Sequence, residues 1–334
     1  MNKISKTRIG VDGVSRDLDD IRDYLVGNVE DTICTELNAK ITGLDAVDAP
    51  IAEYIRDNLH KLLSADVLGL KTWAVYFDTH YPDKFKVKKG QNWKETDLCK
   101  AVLAAFDYSR HRNGALVEVA RMLNVKTCPY CNMHYTLYAN EPRVRSVRKL
   151  SRFQFDHFFD KSRYPMLSMS FYNLIPSCGV CNLGKSAGKL TLDYHPYLSD
   201  IHKLFHFEMK DPLGPYTAAR VKDEAEIELV SEPGVNAKEF KVYKDMFHLK
   251  ALYGRHGDMV QEVYDKAYEA PYYLNPASFS FLGSRATEYI QRLWLGNYTK
   301  SDEIEKRPMA KFMQDIWNQA SGEKLAGKIY KVIP

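Results

Sequence analysis

Apolar residues recur at spacings of three and four through Leu18, Ile21, Leu25, Val29, Ile33 and Leu37, which lines one face of a helix. Ile51, Tyr54, Ile55, Leu59 and Leu62 repeat the pattern, and shorter runs follow at Val102, Leu103 and Phe106 and at Leu116, Val119, Ala120 and Leu123. Between the second and third runs, residues 81–90 are rich in Lys, Pro and Gly and predict a loop with solvated lysines. Helical patterning returns over 237–270 and 284–320, interrupted by Pro271 and Pro276. Two stretches keep a shorter period. Residues 133–139 are aromatic and strand-like up to a turn signal at Asn140-Glu141-Pro142, and 225–231 alternate as a strand. The pattern predicts an α+β, mainly helical chain. It divides into a helical region 1–125, a distinct segment 126–200 and a mostly helical region 201–334.

Composition narrows the class. Of 334 residues, 45% are apolar and 27% charged, as in a globular protein. No stretch approaches 18 consecutive apolar residues, and the first residues lack an apolar core behind their charges. Neither a membrane span nor a secretory signal is expected, so the expected location is cytoplasmic. The net charge of +4 says little, but residues 126–200 hold ten basic and five acidic side chains. Such a local excess suits a polyanionic partner, or is simply a solvated face.

Four of six cysteines form two C-x-x-C pairs, Cys128/Cys131 and Cys178/Cys181. In a reducing compartment these read as a tetrahedral structural zinc site, each pair supplying two thiolates from a tight turn. A redox pair is the rival reading, weakened because two pairs flank one segment. Cys34 and Cys99, inside helical runs, are expected to be small buried hydrophobes.

Between the pairs come a basic run, Arg143, Arg145, Arg148, Lys149 and Arg152, then Phe155-Asp156-His157-Phe158, then Asn173. The second pair leads into Asn182-Leu183-Gly184-Lys185-Ser186, which reads as a helix start. Taken singly, an Asp-His pair or an asparagine would read as an ordinary solvent-facing or turn residue. Together, interleaved with the cysteine pairs, Asp156-His157, Asn173 and Asn182 resemble the HNH endonuclease family. Residues 155–185 look closer still to standalone bacterial HNH proteins associated with anti-phage defence, although Asp160 stands where those often carry Pro. The tail from Tyr298 to Ile316 is also similar to that group.

The resemblance implies a central ββα-metal (HNH) core, stapled by the four-cysteine zinc site and flanked by N- and C-terminal helical regions. It implies a metal-dependent hydrolase of DNA phosphodiesters. His157 would be the general base, titrating near neutral pH, and Asp156 and Asn182 would offer oxygens to a catalytic Mg²⁺ or Mn²⁺. Asn173 would bridge the loop and orient His157. The basic run and Lys185 are expected to meet nucleic-acid phosphates, with duplex DNA the leading partner. A role in defence against phage or other foreign DNA is implied, with an ATPase or sensor subunit as a further candidate partner. An RNA-cleaving enzyme and a non-catalytic zinc-stapled nucleic-acid-binding module are the alternatives. His195 is expected to be a structural loop residue rather than a metal ligand. The tyrosines Tyr253, Tyr264, Tyr268, Tyr272 and Tyr273 are expected to be core rather than a surface for bases.

Overall fold

The helix whose apolar stripe opens the sequence is also the spine of its unit. In the computed structural model, which describes residues 2–90, 92–143, 146–151, 153–216, 221, 223–273 and 283–321, contacts group the chain into two compact units. One comprises residues 4–125 and 136–198, the other residues 1–3, 126–135 and 199–334.

In the first unit a short hairpin, β1 (Thr7–Ile9) and β2 (Ser15–Asp17), leads into α1 (Leu18–Ile41). The Asp20 carboxylate accepts from the Asp17 N–H at 3.0 Å, satisfying a donor at the helix entry. All six residues of the predicted stripe are buried. They pack α1 against α2 (Ala49–Asp57), α3 (Leu59–Leu63), α5 (Asp97–Phe106) and α7 (Ala115–Leu123). α4 (Val67–His80) starts where Asp66 accepts from the Gly69 N–H at 2.7 Å.

Residues 81–90, expected to be loop, instead carry β3 (Lys86–Lys89), which pairs antiparallel with β4 (Asn92–Glu95). Lysines at alternating and adjacent positions of β3 hide the two-residue period that marks a strand. Thr96 closes the hairpin's base, its hydroxyl donating to the Lys84 carbonyl at 2.6 Å and accepting from the Cys99 N–H at 3.1 Å. α6 (Tyr108–Arg112) and α7 follow.

A second correction concerns the middle segment. The strand begins at Tyr138 rather than 133, and Asn140-Glu141-Pro142 lie within β5 (Tyr138–Arg143), not in a turn. β5 pairs with β6 (Ser146–Ser151), Asn140 opposite Lys149 and Pro142 opposite Val147. Proline is tolerated on such an edge because its missing donor can face away from the ladder. β7 (Gln154–His157) then pairs antiparallel with β8 (Leu174–Ser177), and α8 (Gly179–Lys185) follows at once. Its first turn is capped by the Cys178 sulfur, 3.4 Å from the Cys181 N–H. Asn182 therefore sits inside the helix, which starts three residues earlier than its sequence suggests.

The second unit contains a hairpin of β9 (Phe205–Met209) and β10 (Ile227–Ser231), and helices α9 (Ala237–Met246), α10 (Leu249–Gly254), α11 (Gly257–Tyr273), α12 (Gly283–Leu295) and α13 (Ala310–Ala320). β10 matches the predicted strand; β9, whose Phe205-His206-Phe207-Glu208-Met209 alternates as regularly, is an addition to the expected elements. The helical run 237–270 is broken at His248, which takes a left-handed conformation (φ 49°), and α11 continues through Pro271. Pro276 lies outside the described residues. Phe207 is central here, its ring 4.3 Å from Tyr253 and 5.3 Å from Phe312. Tyr253 and Tyr264 are fully buried, as expected of a core stripe, whereas Tyr268 is 62% exposed. The chain is α+β and mainly helical, and among the described residues no helix is long and apolar enough to cross a membrane.

Candidate active site and metal centre

The sulfurs of Cys128, Cys131, Cys178 and Cys181 all lie within 4.8 Å of one another, and all four residues are buried. Four converging thiols without a disulfide are the donor set of a structural zinc site, so this cluster could hold a metal such as zinc. The local folding of the first pair explains its geometry. Asn132 adopts a left-handed conformation (φ 52°), and its N–H reaches back to the Cys128 carbonyl at 2.8 Å, closing the turn. The Met133 N–H approaches the Cys131 sulfur at 3.4 Å, as N–H groups do around thiolates. The turn is buttressed by its own unit. Tyr243 and Tyr253 donate their hydroxyls to the carbonyls of Tyr130 and Cys131. The Asn132 amide donates to the Ile304 carbonyl at 2.9 Å and accepts from the Lys311 N–H at 3.1 Å. His134 is exposed and is not in the cluster. Cys99 is buried, its thiol pushed up to about 12 by desolvation, and Cys34 is half-buried.

A cleft of about 490 Å³ is lined by Asp156 and His157 of β7 and by Asn182 of α8. Both strand residues are buried. The Nε2 of His157 lies 3.0 Å from the carbonyl oxygen of Ser168. A carbonyl can only accept, so this contact places the proton on Nε2 and leaves Nδ1 with its lone pair. The Tyr108 ring packs edge-on against the imidazole, centroids 4.9 Å apart. Burial pulls the His157 pKa down to about 3, helped by the nearby charge of Lys161. The expectation of titration near neutral pH is thereby revised: the imidazole is neutral throughout the physiological range.

Asn173, wholly buried, ties the loop after His157 together. Its Oδ1 accepts from the Phe159 N–H at 2.7 Å, and its Nδ2 donates to the carbonyls of Leu167 at 2.8 Å and Phe159 at 3.2 Å. Leu167 immediately precedes Ser168, the residue whose carbonyl holds His157. Asn182 donates through its amide nitrogen to the Gln154 side chain, which leaves its oxygen as the atom for a cation.

Lys185 departs from expectation. It is buried rather than presented to nucleic acid, with its Nζ 3.2 Å from each carboxylate oxygen of Asp156 and 2.7 Å from the His157 carbonyl. A lysine removed from water needs such partners, because a buried unpaired charge is costly. Arg143 is exposed and lies 3.2 Å from Glu141. Arg148 and Lys149 occupy β6, opposite Glu141 and Asn140, while Arg145 and Arg152 lie outside the described residues. His195 does not line the cleft. It is buried against Phe158, ring centroids 4.2 Å apart, with Nδ1 accepting from the Tyr197 N–H at 3.3 Å.

The cleft also takes in Lys86, Tyr108, Arg112, Gln154 and Lys161, which the sequence motif does not include. Gln154 was within reach, because strand alternation puts residues two apart on one face. The others come from distant positions, and no local spacing marks them. No protein-family model, curated protein or solved structure matches the chain.

Proposed function

We propose that the protein is a metal-dependent endonuclease of the HNH type that hydrolyses DNA phosphodiester bonds. The observation that carries this reading is the cleft that joins Asp156, His157 and Asn182 on a strand–loop–strand–helix frame, with His157 held through Nε2, which leaves Nδ1 unprotonated.

Asp156 and Asn182 offer hard oxygens in an open cleft, the donor chemistry that Mg²⁺ or Mn²⁺ takes. Lys185 already neutralises the Asp156 carboxylate, so a cation there shares that carboxylate with an ammonium. The bound cation would supply positive charge to the oxygen on which negative charge develops. His157 Nδ1 takes the proton from the attacking water. As the ring becomes positive, its Nε2–H bond to the Ser168 carbonyl becomes charge-assisted and strengthens. Tyr108 and Asn173 keep the ring from turning, which preserves the line of attack. Lys161 and Arg112, at the same cleft, add cations for the scissile phosphate. A neutral imidazole at every physiological pH gives a base that is always available, though a weaker one than a histidine titrating near 7.

The structural metal is read as zinc on its four-thiolate donor set. The defence setting, with an ATPase or sensor subunit, rests on the resemblance of residues 155–185 and is tested by phage plating on cells with and without the gene. The activity itself is tested by incubating the purified protein with plasmid, linear duplex, single-stranded DNA and RNA, each with Mg²⁺, Mn²⁺ or EDTA. Cation-dependent cutting of DNA is expected. Cutting of RNA alone, or of nothing, would overturn the reading.

A further inference from the structure

Beside the catalytic cleft, in the same unit, lies a second cavity of about 460 Å³. Its inner wall is aromatic. Phe77, Phe85, Phe158 and Tyr164 are all buried, and Phe77 meets Phe85 edge-on with centroids 5.9 Å apart. At its mouth stands Trp93, 57% exposed. The two cavities share Lys86, Asp160 and Ala187 as a common wall. That wall is well fixed, with the Lys86 Nζ 3.0 Å from an Asp160 carboxylate oxygen and 2.6 Å from the Ser162 hydroxyl.

Trp93 belongs to β4 of the β3–β4 hairpin, just past the stretch 81–90 whose lysines suggest a solvated loop. It sits directly across the ladder from Lys88, and both Lys88 and the adjacent Lys94 are exposed. A further exposed lysine, Lys189, lines the cavity. The lining also carries Asp83 and the ion pairs Lys86–Asp160 and Arg163–Asp78, so the cations it offers to a strand's phosphates are the exposed Lys189 and, across the ladder from Trp93, Lys88. The bases of a single nucleic-acid strand stack on aromatic faces while its phosphates follow positive charge. A base held in duplex is already stacked and paired, and would have to leave the helix to enter.

We infer that this cavity receives an unstacked base of single-stranded or locally opened DNA whose neighbouring phosphate lies in the cleft. The inference rests on the nuclease reading for the position of that phosphate. It gives the lysine-rich hairpin a function and sets substrate form: the preferred substrate is a strand with at least one base free to leave its stack.

The test uses the full chain carrying His157→Ala, with Mg²⁺ present, and a strand containing one 2-aminopurine. The strand is offered alone, in perfect duplex, and in a duplex with the reporter base unpaired. Tighter binding of the single strand and of the unpaired-base duplex than of the perfect duplex is expected, with quenching of the reporter. Trp93→Ala should weaken single-strand binding roughly tenfold or more and relieve the quenching, Trp93→Phe should retain both, and perfect-duplex binding should not change. Equal affinity for all three forms, or indifference of single-strand binding to Trp93→Ala, would overturn the inference. So would tighter binding of the same strand made as RNA. Cleavage by the wild-type chain is scored separately. Cutting without a base preference removes the pocket and keeps the nuclease, whereas a base preference without cutting keeps the pocket and removes the nuclease.

Discussion

Replacing Asn173 with alanine removes three hydrogen bonds made by a wholly buried side chain. The Phe159 N–H loses its 2.7 Å partner, and the carbonyls of Leu167 and Phe159 lose donors at 2.8 and 3.2 Å. The consequences are unequal. The Leu167 carbonyl keeps the Ser170 N–H at 3.2 Å, so it is weakened rather than orphaned. The Phe159 N–H loses the acceptor that the side chain supplies. An unsatisfied buried group costs about 1–3 kcal/mol and an ordinary hydrogen bond contributes about 0.5–1.5 kcal/mol, so Asn173→Ala should destabilise its unit by about 3 kcal/mol. Urea unfolding measures the loss, and hydrogen exchange at Phe159 should show it first. Because the same loop carries the Ser168 carbonyl, the rate at saturating DNA should fall roughly 10²-fold through misalignment of His157. DNA affinity should hardly move. Asn173→Asp is at least as damaging: it keeps an acceptor for the Phe159 N–H but turns a carboxylate oxygen towards two carbonyls. A stability change below about 0.5 kcal/mol with an unaltered rate would refute the role given to this residue.

Elemental analysis of the purified chain should find about one zinc, and serine at Cys128, Cys131, Cys178 or Cys181 should lower both zinc content and thermal stability, because binding and folding are linked. Acid should unfold the chain early. His157 and His195 are buried neutral with folded pKa values near 3, against 6.5 when unfolded, so the unfolded state takes protons first. Their stabilisation is complete above pH 6.5 and is lost as pH falls towards 3, by up to about 1.4 kcal/mol per pH unit for each histidine, and glutamine at either position should flatten the slope of stability against pH in chemical denaturation. Neutralising Arg143, Arg148 and Lys149 together should weaken DNA binding without sequence preference and reduce the log–log salt slope by roughly 0.9 for each phosphate these side chains neutralise, whereas an unchanged slope would place the DNA elsewhere.

Residues whose partners lie close along one period were legible in advance. The stripe from Leu18 to Leu37 is a single buried helix face, and the two C-x-x-C pairs converge across the long segment between them. Asn173 was singled out by the resemblance alone, and its side chain bonds Phe159 and Leu167 of the loop after His157. What could not be read depends on groups that sequence spacing does not connect. The β3–β4 hairpin escaped because lysine occupies three of the four positions of its first strand. Lys185 looked like a solvated helix lysine because nothing in Gly-Lys-Ser reveals that Asp156, 29 residues earlier, lies beneath it. The depressed pKa of His157 is a property of burial, helped by the charge of Lys161, and an isolated Asp-His pair carries no record of either.

The measurement that bears most directly on the proposed nuclease is the single-turnover cleavage rate of His157→Ala beside wild type, in Mg²⁺ and across roughly pH 5.5 to 8.5. Loss of the base should lower the rate by roughly 10²–10⁴-fold while fold, zinc content and DNA affinity stay near wild type. The wild-type profile should show no step from His157 titration in this range, since its folded pKa lies near 3. Cleavage by His157→Ala at the wild-type rate, with contaminating nuclease excluded, would contradict the assignment of this cleft as the active site.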